Sequence, residues 1–202
     1  GSLNEDFVIS KIYNAVKIID NSENLNIEKL QDKVLNILKL MQDELNISQK
    51  IYFYGATKKF KTNSFYGLIY FMLEVNENYE LKKLFIENRK KFEEFLVNNE
   101  RNVQTIARRK RQAKNAYEEV GNYYKVVLES CKNNDLSELK DKYYYLDFEK
   151  KKAKTSKEKT LEKNYEIFIS KVPRCKICGG FIDGNKNEHR VHNCCKDLEE
   201  DN

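Results

Sequence analysis

The chain holds a single proline, Pro173, among 202 residues. Nothing in residues 1–172 therefore forces a helix to stop by removing a backbone donor. Long apolar runs are also missing. The longest candidate, GLIYFML from Gly67 to Leu73, falls well short of the ~20 residues a spanning helix needs, which excludes a helical membrane protein. Glycines number seven, and none builds a phosphate loop, because the Gly179-Gly180 doublet follows cysteines instead of standing between a strand and a helix. There is no serine-nucleophile pattern, and His189 and His192 are the whole supply of imidazole. Cys131 is the only cysteine outside the C-terminal segment, and an odd total of five fits a reduced metal site better than a disulfide framework, which implies a cytoplasmic protein. The opening Gly1-Ser2 reads as a cloning remnant. LNEDFVIS after it has no basic start leading to an apolar core, so the chain is expected to be a piece excised from a longer protein.

What is present is charge and helical periodicity. Hydrophobic residues make up 40% of the chain and charged residues 34%, a composition that suits a globular domain with charged helix surfaces. The net charge of +5 is concentrated: RNVQTIARRKRQAK, residues 101–114, has six positive residues and no acidic one. KKKAKTSKEKTLEK, residues 150–163, has seven positive against two negative. Such runs either hold phosphates or form solvated helix faces. Arg108, Arg109, Lys110 and Arg111 are the candidate nucleic-acid contacts.

Val8, Ile12, Ala15 and Ile19 recur at helical steps and predict a first helix over residues 4–19. Asn26 is placed to cap a second, carrying Ile27, Leu30, Val34, Ile37, Met41 and Leu45. Residues 50–63 read as a turn-like piece in which aromatics sit beside Lys58, Lys59 and Lys61, a hydrophobic core under a basic turn more readily than a base-stacking platform. A buried helix is expected over residues 64–74, and another begins near Tyr79 with Leu81, Phe85, Phe92 and Phe95. Long helices are permitted from Arg101 to Cys131 and from Leu136 to Ser170, the latter capped by Asp135. The Tyr143-Tyr144-Tyr145 run reads as helix packing. Pro173 then marks a boundary, giving a helical domain over 1–172 and a small module over 173–202.

That module, PRCKICGGFIDGNKNEHRVHNCC over residues 173–195, gathers four cysteines and both histidines. Cys175-x-x-Cys178 followed by two glycines is a zinc-knuckle pattern: two thiolates reach one ion from a tight turn, and the glycines let backbone amides approach the sulfurs. Two more ligands must come from His189, His192, Cys194 and Cys195. His192-x-x-Cys195 repeats the two-residue gap of the first pair, so Cys175, Cys178, His192 and Cys195 are the expected set for a structural Zn2+. His189 with His192, or Cys194 in place of Cys195, are the alternatives. A segment this short buries too little apolar surface to fold without such a staple.

RCKICGGFID followed by Glu188-His189 resembles the HNH, or ββα-metal, endonuclease motif. With the helical TNSFYGLIYF region ahead of it, the chain resembles the C-terminal half of the GmrSD-type restriction proteins, in which a ParB-like nucleotide-using domain precedes helices and an HNH module. The resemblance implies a mainly α protein ending in a zinc-stapled ββα-like module, acting on DNA in antiviral defence by metal-dependent phosphodiester hydrolysis. It assigns His189 as the general base that activates water and Glu188 as a ligand of a catalytic Mg2+ or Mn2+. The expected partners are DNA and the nucleotide-using domain. The pattern departs from the family in spacing, since only Arg190 to His192 separate His189 from Asn193. That compression supports a second expectation: a non-catalytic, zinc-stabilised helical domain that binds nucleic acid or a partner protein.

Overall fold

A computed structural model describes residues 5–21, 23–110, 116–148, 155–182 and 191–196. The architecture is mainly α-helical. In chain order the helices are α1 (Glu5–Asp20), α2 (Ile27–Lys39), α3 (Gln49–Tyr52), α4 (Thr62–Glu77), α5 (Tyr79–Asn98), α6 (Asn102–Arg109), α7 (Tyr117–Asn133), α8 (Ser137–Lys142) and α9 (Ser156–Ile169). A π turn, Leu40–Glu44, continues α2, and a 3-10 turn, Asn193–Cys195, lies near the C-terminus. Among the described residues no helix is long and apolar enough to cross a membrane.

The central element is α4, which buries Tyr66, Leu68, Ile69, Phe71, Met72, Leu73 and Val75 and is apolar nearly all round, as a helix surrounded by others must be. It pairs with α7 through two glycines. A Cβ on Gly67 would stand 2.2 Å from Val120 Cγ1, and one on Gly121 would stand 2.5 Å from Tyr70 Cδ1. The absent side chains let the two backbones approach. Around this crossing Phe71, Phe85, Phe92 and Tyr124 form an aromatic cluster with ring centroids 5.6–6.2 Å apart, offset or edge-on as ring quadrupoles favour.

The expected Asn26 cap holds: its side chain accepts from Lys29 N at 2.9 Å at the start of α2. Asp135, expected as a cap, stands one residue ahead of the N-cap Leu136 and instead closes a local turn by accepting from Ser137 N and Oγ. The apolar stripe of α2 sinks inward along its length, from Ile27 at 83% exposed to Ile37 at 1%. Ala15 and Ile19 are buried on α1 as expected and Ile18 joins them, whereas Ile12, expected on the same face, is 59% exposed. Residues 53–65 form the aromatic core under a basic turn: Phe53 packs on Phe60 and Phe65, and Lys61 is drawn into an ion pair with Glu100 at 3.6 Å.

Neither long helix runs through. α6 stops at Arg109 before α7 begins at Tyr117, and the tyrosine run after α8 forms turns instead of helix. Burial explains the second break. Tyr143 and Leu146 both enter the core, and Leu146 N bonds Tyr143 O at 2.8 Å, a turn that a continuous helix would not make. α9 then restarts on a capping box in which Thr155 and Glu158 satisfy each other's backbone amides.

Candidate metal centre

Past Pro173 the chain makes one tight hairpin-like turn. Arg174 bridges Phe181, Cys175 N bonds Gly180 O at 2.7 Å, Gly179 N bonds Cys175 O at 2.9 Å and Ile182 N bonds Pro173 O at 2.9 Å. Gly179 closes this turn at φ +70°, and a Cβ there would meet Lys90 of α5 at 2.9 Å. A Cβ on Gly180 would lie 2.7 Å from Arg89 Cδ. The glycine doublet thus serves the turn and also lets it lie against α5.

The turn and the 3-10 segment bring the expected four residues together. The ligand atoms of Cys175, Cys178, His192 and Cys195 all lie within 4.8 Å of one another. Bonds of ~2.3 Å at tetrahedral angles place sulfurs roughly 3.8 Å apart, so only a small contraction separates this arrangement from a closed site. Cys175, Cys195 and His192 are buried, at 3%, 0% and 1% exposed. Cys194 stands beside the group, its sulfur 3.8 Å from that of Cys195; it is not among the four that converge.

The imidazole is oriented for ligation. His192 Nε2 lies 3.0 Å from Phe181 O, and a carbonyl only accepts, so this nitrogen carries the proton. Nδ1 then holds a single lone pair, 3.2 Å from Cys178 Sγ and 3.1 Å from Arg89 Nη1; it accepts from the guanidinium until a cation among the sulfurs takes it. A backbone carbonyl holding the far ring nitrogen is the usual way a ligating histidine is fixed. The sulfurs also receive donors, with His192 N bonding Cys175 Sγ at 3.4 Å. The Cys178 thiol is drawn down to about 3, first by the hydrogen bond from Cys195 and further by the Gly180 amide, against the opposing effect of burial. Cys195 is pushed upward by its hydrogen bonds to Cys178 and Cys194. Thiols bind a cation as thiolates, so loading this group releases protons and strengthens as pH rises. Three soft sulfurs and one imidazole in a closed, buried tetrad fit a structural zinc ion better than an oxygen-seeking cation.

Sequence reasoning missed what lies beneath the tetrad. Arg89 and Glu93 of α5 are both fully buried and paired at 2.8 Å. Arg89 Nη1 donates to Leu45 O and lies 3.1 Å from His192 Nδ1. Nη2 donates to Asn46 O at 3.0 Å and reaches Phe181 O at 3.5 Å. Glu93 accepts from the Phe181 amide and, at 3.0 Å, from Tyr52 Oη. Burial disfavours the arginine's charge, but Glu93, Tyr52 and Cys178 together outweigh it and raise the guanidinium pKa. The available signal was Arg89 itself, placed four residues after Phe85 and three before Phe92, in the middle of the apolar stripe.

The other candidate residues lie elsewhere. Arg108, Arg109 and Lys110 are exposed at the C-terminal end of α6, with Arg109 flat on the Tyr145 ring at 4.0 Å and Lys110 paired with Glu119 at 3.3 Å. Arg111, Glu188 and His189 lie outside the described residues. Among the described residues the tail has no strand, its one strand-like pairing being the isolated Arg174–Phe181 bridge, and what is shown of the expected module is the cluster of three cysteines and one histidine. No protein-family model, curated protein or solved structure matches the chain.

Proposed function

We propose that this chain is a zinc-closed helical module that acts on DNA, of the kind found in the C-terminal half of GmrSD-type restriction proteins. The observation that carries this reading is the convergence of Cys175, Cys178, His192 and Cys195 into one buried tetrad at the end of a helical body. Zinc held there orders a tail too short to fold by its own apolar burial. Arg108, Arg109 and Lys110 offer exposed positive charge on α6 for phosphate contact, with Arg111 continuing the run. Binding through such residues is steeply salt-dependent and indifferent to sequence.

In the hydrolytic form of this reading, His189 takes the proton of the attacking water and Glu188 holds a divalent ion that neutralises charge on the scissile phosphate. The commitment of His192 supports that assignment of roles. Its Nε2 is bound to Phe181 O and its Nδ1 faces the sulfurs, so His189 is the one histidine left for proton transfer. A second, non-catalytic reading is favoured by length. Residues 183–191 are all that joins Ile182 to His192, and a second strand plus a helix of ordinary size needs more chain than that.

Plasmid incubated with Mg2+ or Mn2+ separates the two. Nicking that disappears in His189→Ala establishes the hydrolase, while DNA retention without nicking at any metal concentration establishes the binder. Loss of DNA retention on removing the α6 charges, with the zinc content intact, places the contact. Undiminished retention in Arg108→Ala/Arg109→Ala/Lys110→Ala at low salt removes that surface from the proposal.

A further inference from the structure

We propose that Arg89 is a positioning residue of the metal centre. It joins the tail's ligand set to the π turn, so that ion binding and the packing of α5 against Leu40–Glu44 form one coupled equilibrium. The inference rests on the tetrad being a metal site and is independent of any action on DNA.

Arg89 reaches three separate parts of the chain from one buried guanidinium. Toward the π turn it donates to Leu45 O and Asn46 O. Along its own helix it pairs with Glu93. Toward the tail its Nη2 reaches Phe181 O at 3.5 Å, the carbonyl that holds His192 Nε2, while Nη1 lies 3.1 Å from Nδ1, whose lone pair passes from the guanidinium to the ion when metal binds. The π turn is shaped for this contact. Leu45 N bonds Leu40 O, five residues back, and Ile47 N bonds Met41 O, six residues back. Asn46 sits at φ +47°, and the carbonyls of Leu45 and Asn46 turn toward α5. Asn193 of the tail takes another carbonyl of the same turn, that of Asp43. π turns recur at functional positions because they redirect backbone groups out of the helical ladder.

Charge gives the contact its direction. A divalent ion with three thiolates and a neutral imidazole leaves one net negative charge, and a buried anion of that kind needs a cation beside it. Arg89 is the charged side chain that touches both the tetrad and the body, and Glu93 keeps it from swinging away. Glu93 in turn holds the Phe181 amide, the residue whose carbonyl fixes the His192 ring. Gly180 completes the fit, since a methyl group there would overlap the Arg89 side chain.

The test is competition with a chromophoric chelator to obtain zinc affinity for the full chain and for Arg89→Met, Arg89→Lys and Val127→Ala. Val127 is fully buried in α7, and its truncation lowers stability without touching the tail. Arg89→Met is expected to weaken zinc binding about 10–100-fold, the usual effect of removing an outer-sphere partner. Arg89→Lys recovers part of that loss, Val127→Ala stays within about twofold of the wild type, and the cobalt-substituted protein keeps its tetrahedral thiolate absorption. Zinc binding within about twofold of wild type in Arg89→Met, or an equal loss in Val127→Ala, overturns the proposal. If Arg89→Met does not fold, hydrogen exchange of the wild-type chain decides. Stripping the metal is expected to speed exchange at residues 45–47 and 85–93 together with the tail. Acceleration confined to the tail overturns it.

Discussion

Arg89 Nε donates to Glu93 Oε1 at 2.8 Å across one turn of α5, and neither side chain has measurable contact with solvent. A buried pair of this kind adds little by itself but is costly to break from one side, because the surviving charge has nowhere to go. Glu93→Ala is expected to lower the unfolding free energy by about 3–5 kcal/mol, read from urea denaturation of the zinc-loaded protein. Loss of the Tyr52 and Phe181 contacts to the same carboxylate places it toward the upper end.

Metal removal acts on the same junction. The purified chain is expected to hold one zinc ion by elemental analysis, and Cys175→Ser and Cys195→Ser to lose it. Chelation is expected to lower the unfolding free energy by roughly 3 kcal/mol, on the order of 10 °C in Tm for a chain of this size. An unchanged Tm after complete zinc removal contradicts a structural role.

The α4–α7 crossing tolerates no added volume. Gly67→Ala places a methyl group 2.2 Å from Val120 Cγ1 and is expected to cost about 1–3 kcal/mol through overpacking. Gly55→Ala meets the side-chain ends of the Lys61–Glu100 ion pair, which can shift further than Val120 in the core, and is expected to cost less than Gly67→Ala. Denaturation midpoints of the two variants give the comparison directly.

Alkaline pH should unfold this protein through groups buried in their neutral form. Burial pushes the Cys131 thiol up to about 11, and burial raises Tyr123, Tyr124, Tyr143 and Tyr165 as well. For an acid whose folded pKa lies above its unfolded value, the unfolded state releases the proton first. Stability is then complete below about pH 9 and falls as pH rises toward the folded values. For Cys131 alone, two pKa units correspond to about 3 kcal/mol lost between about pH 9 and 11. Denaturation at pH 8, 9.5 and 10.5 is expected to show a falling midpoint, with a shallower fall in Cys131→Ala.

Thr155→Ala removes one half of a reciprocal cap: Thr155 Oγ1 accepts from Glu158 N at 3.2 Å, and Glu158 accepts from Thr155 N at 2.9 Å. The expected cost is about 1 kcal/mol. Helix-selective hydrogen exchange should place it in the first turn of α9.

Several of these features could be read before any coordinates. The Asn26 cap and the apolar spacing of Leu81, Phe85 and Phe92 are local signals, and local structure obeyed them. The tetrad was legible because ligand chemistry at fixed spacing has few other uses. The end of α6 at Arg109 and the turns over 143–148 were not legible, since helical periodicity reads the same on both sides of a break, and the second stop comes from Tyr143 and Leu146 seeking the core. Arg89 was hidden for a different reason. A lone cation within an apolar stripe announces burial, but its partners, Leu45, Phe181 and His192, lie 44 to 103 residues away along the chain and are joined to it only by tertiary packing. The finer form of the tail, with Glu188 and His189, lies outside the described residues.

The separation between Arg89 and His192 also bears on the order of assembly during synthesis. Phe181 and His192 are synthesised 92 and 103 residues after Arg89, so α1 through α7 can form while the arginine's tail-side partners are still inside the exit tunnel. During that interval the exposed face of α5 shows water a charged pair in place of bare hydrocarbon, which gives sticky neighbours little to grasp. The segment that carries Cys175 to Cys195 then arrives as a seal on a hydrophilic seat.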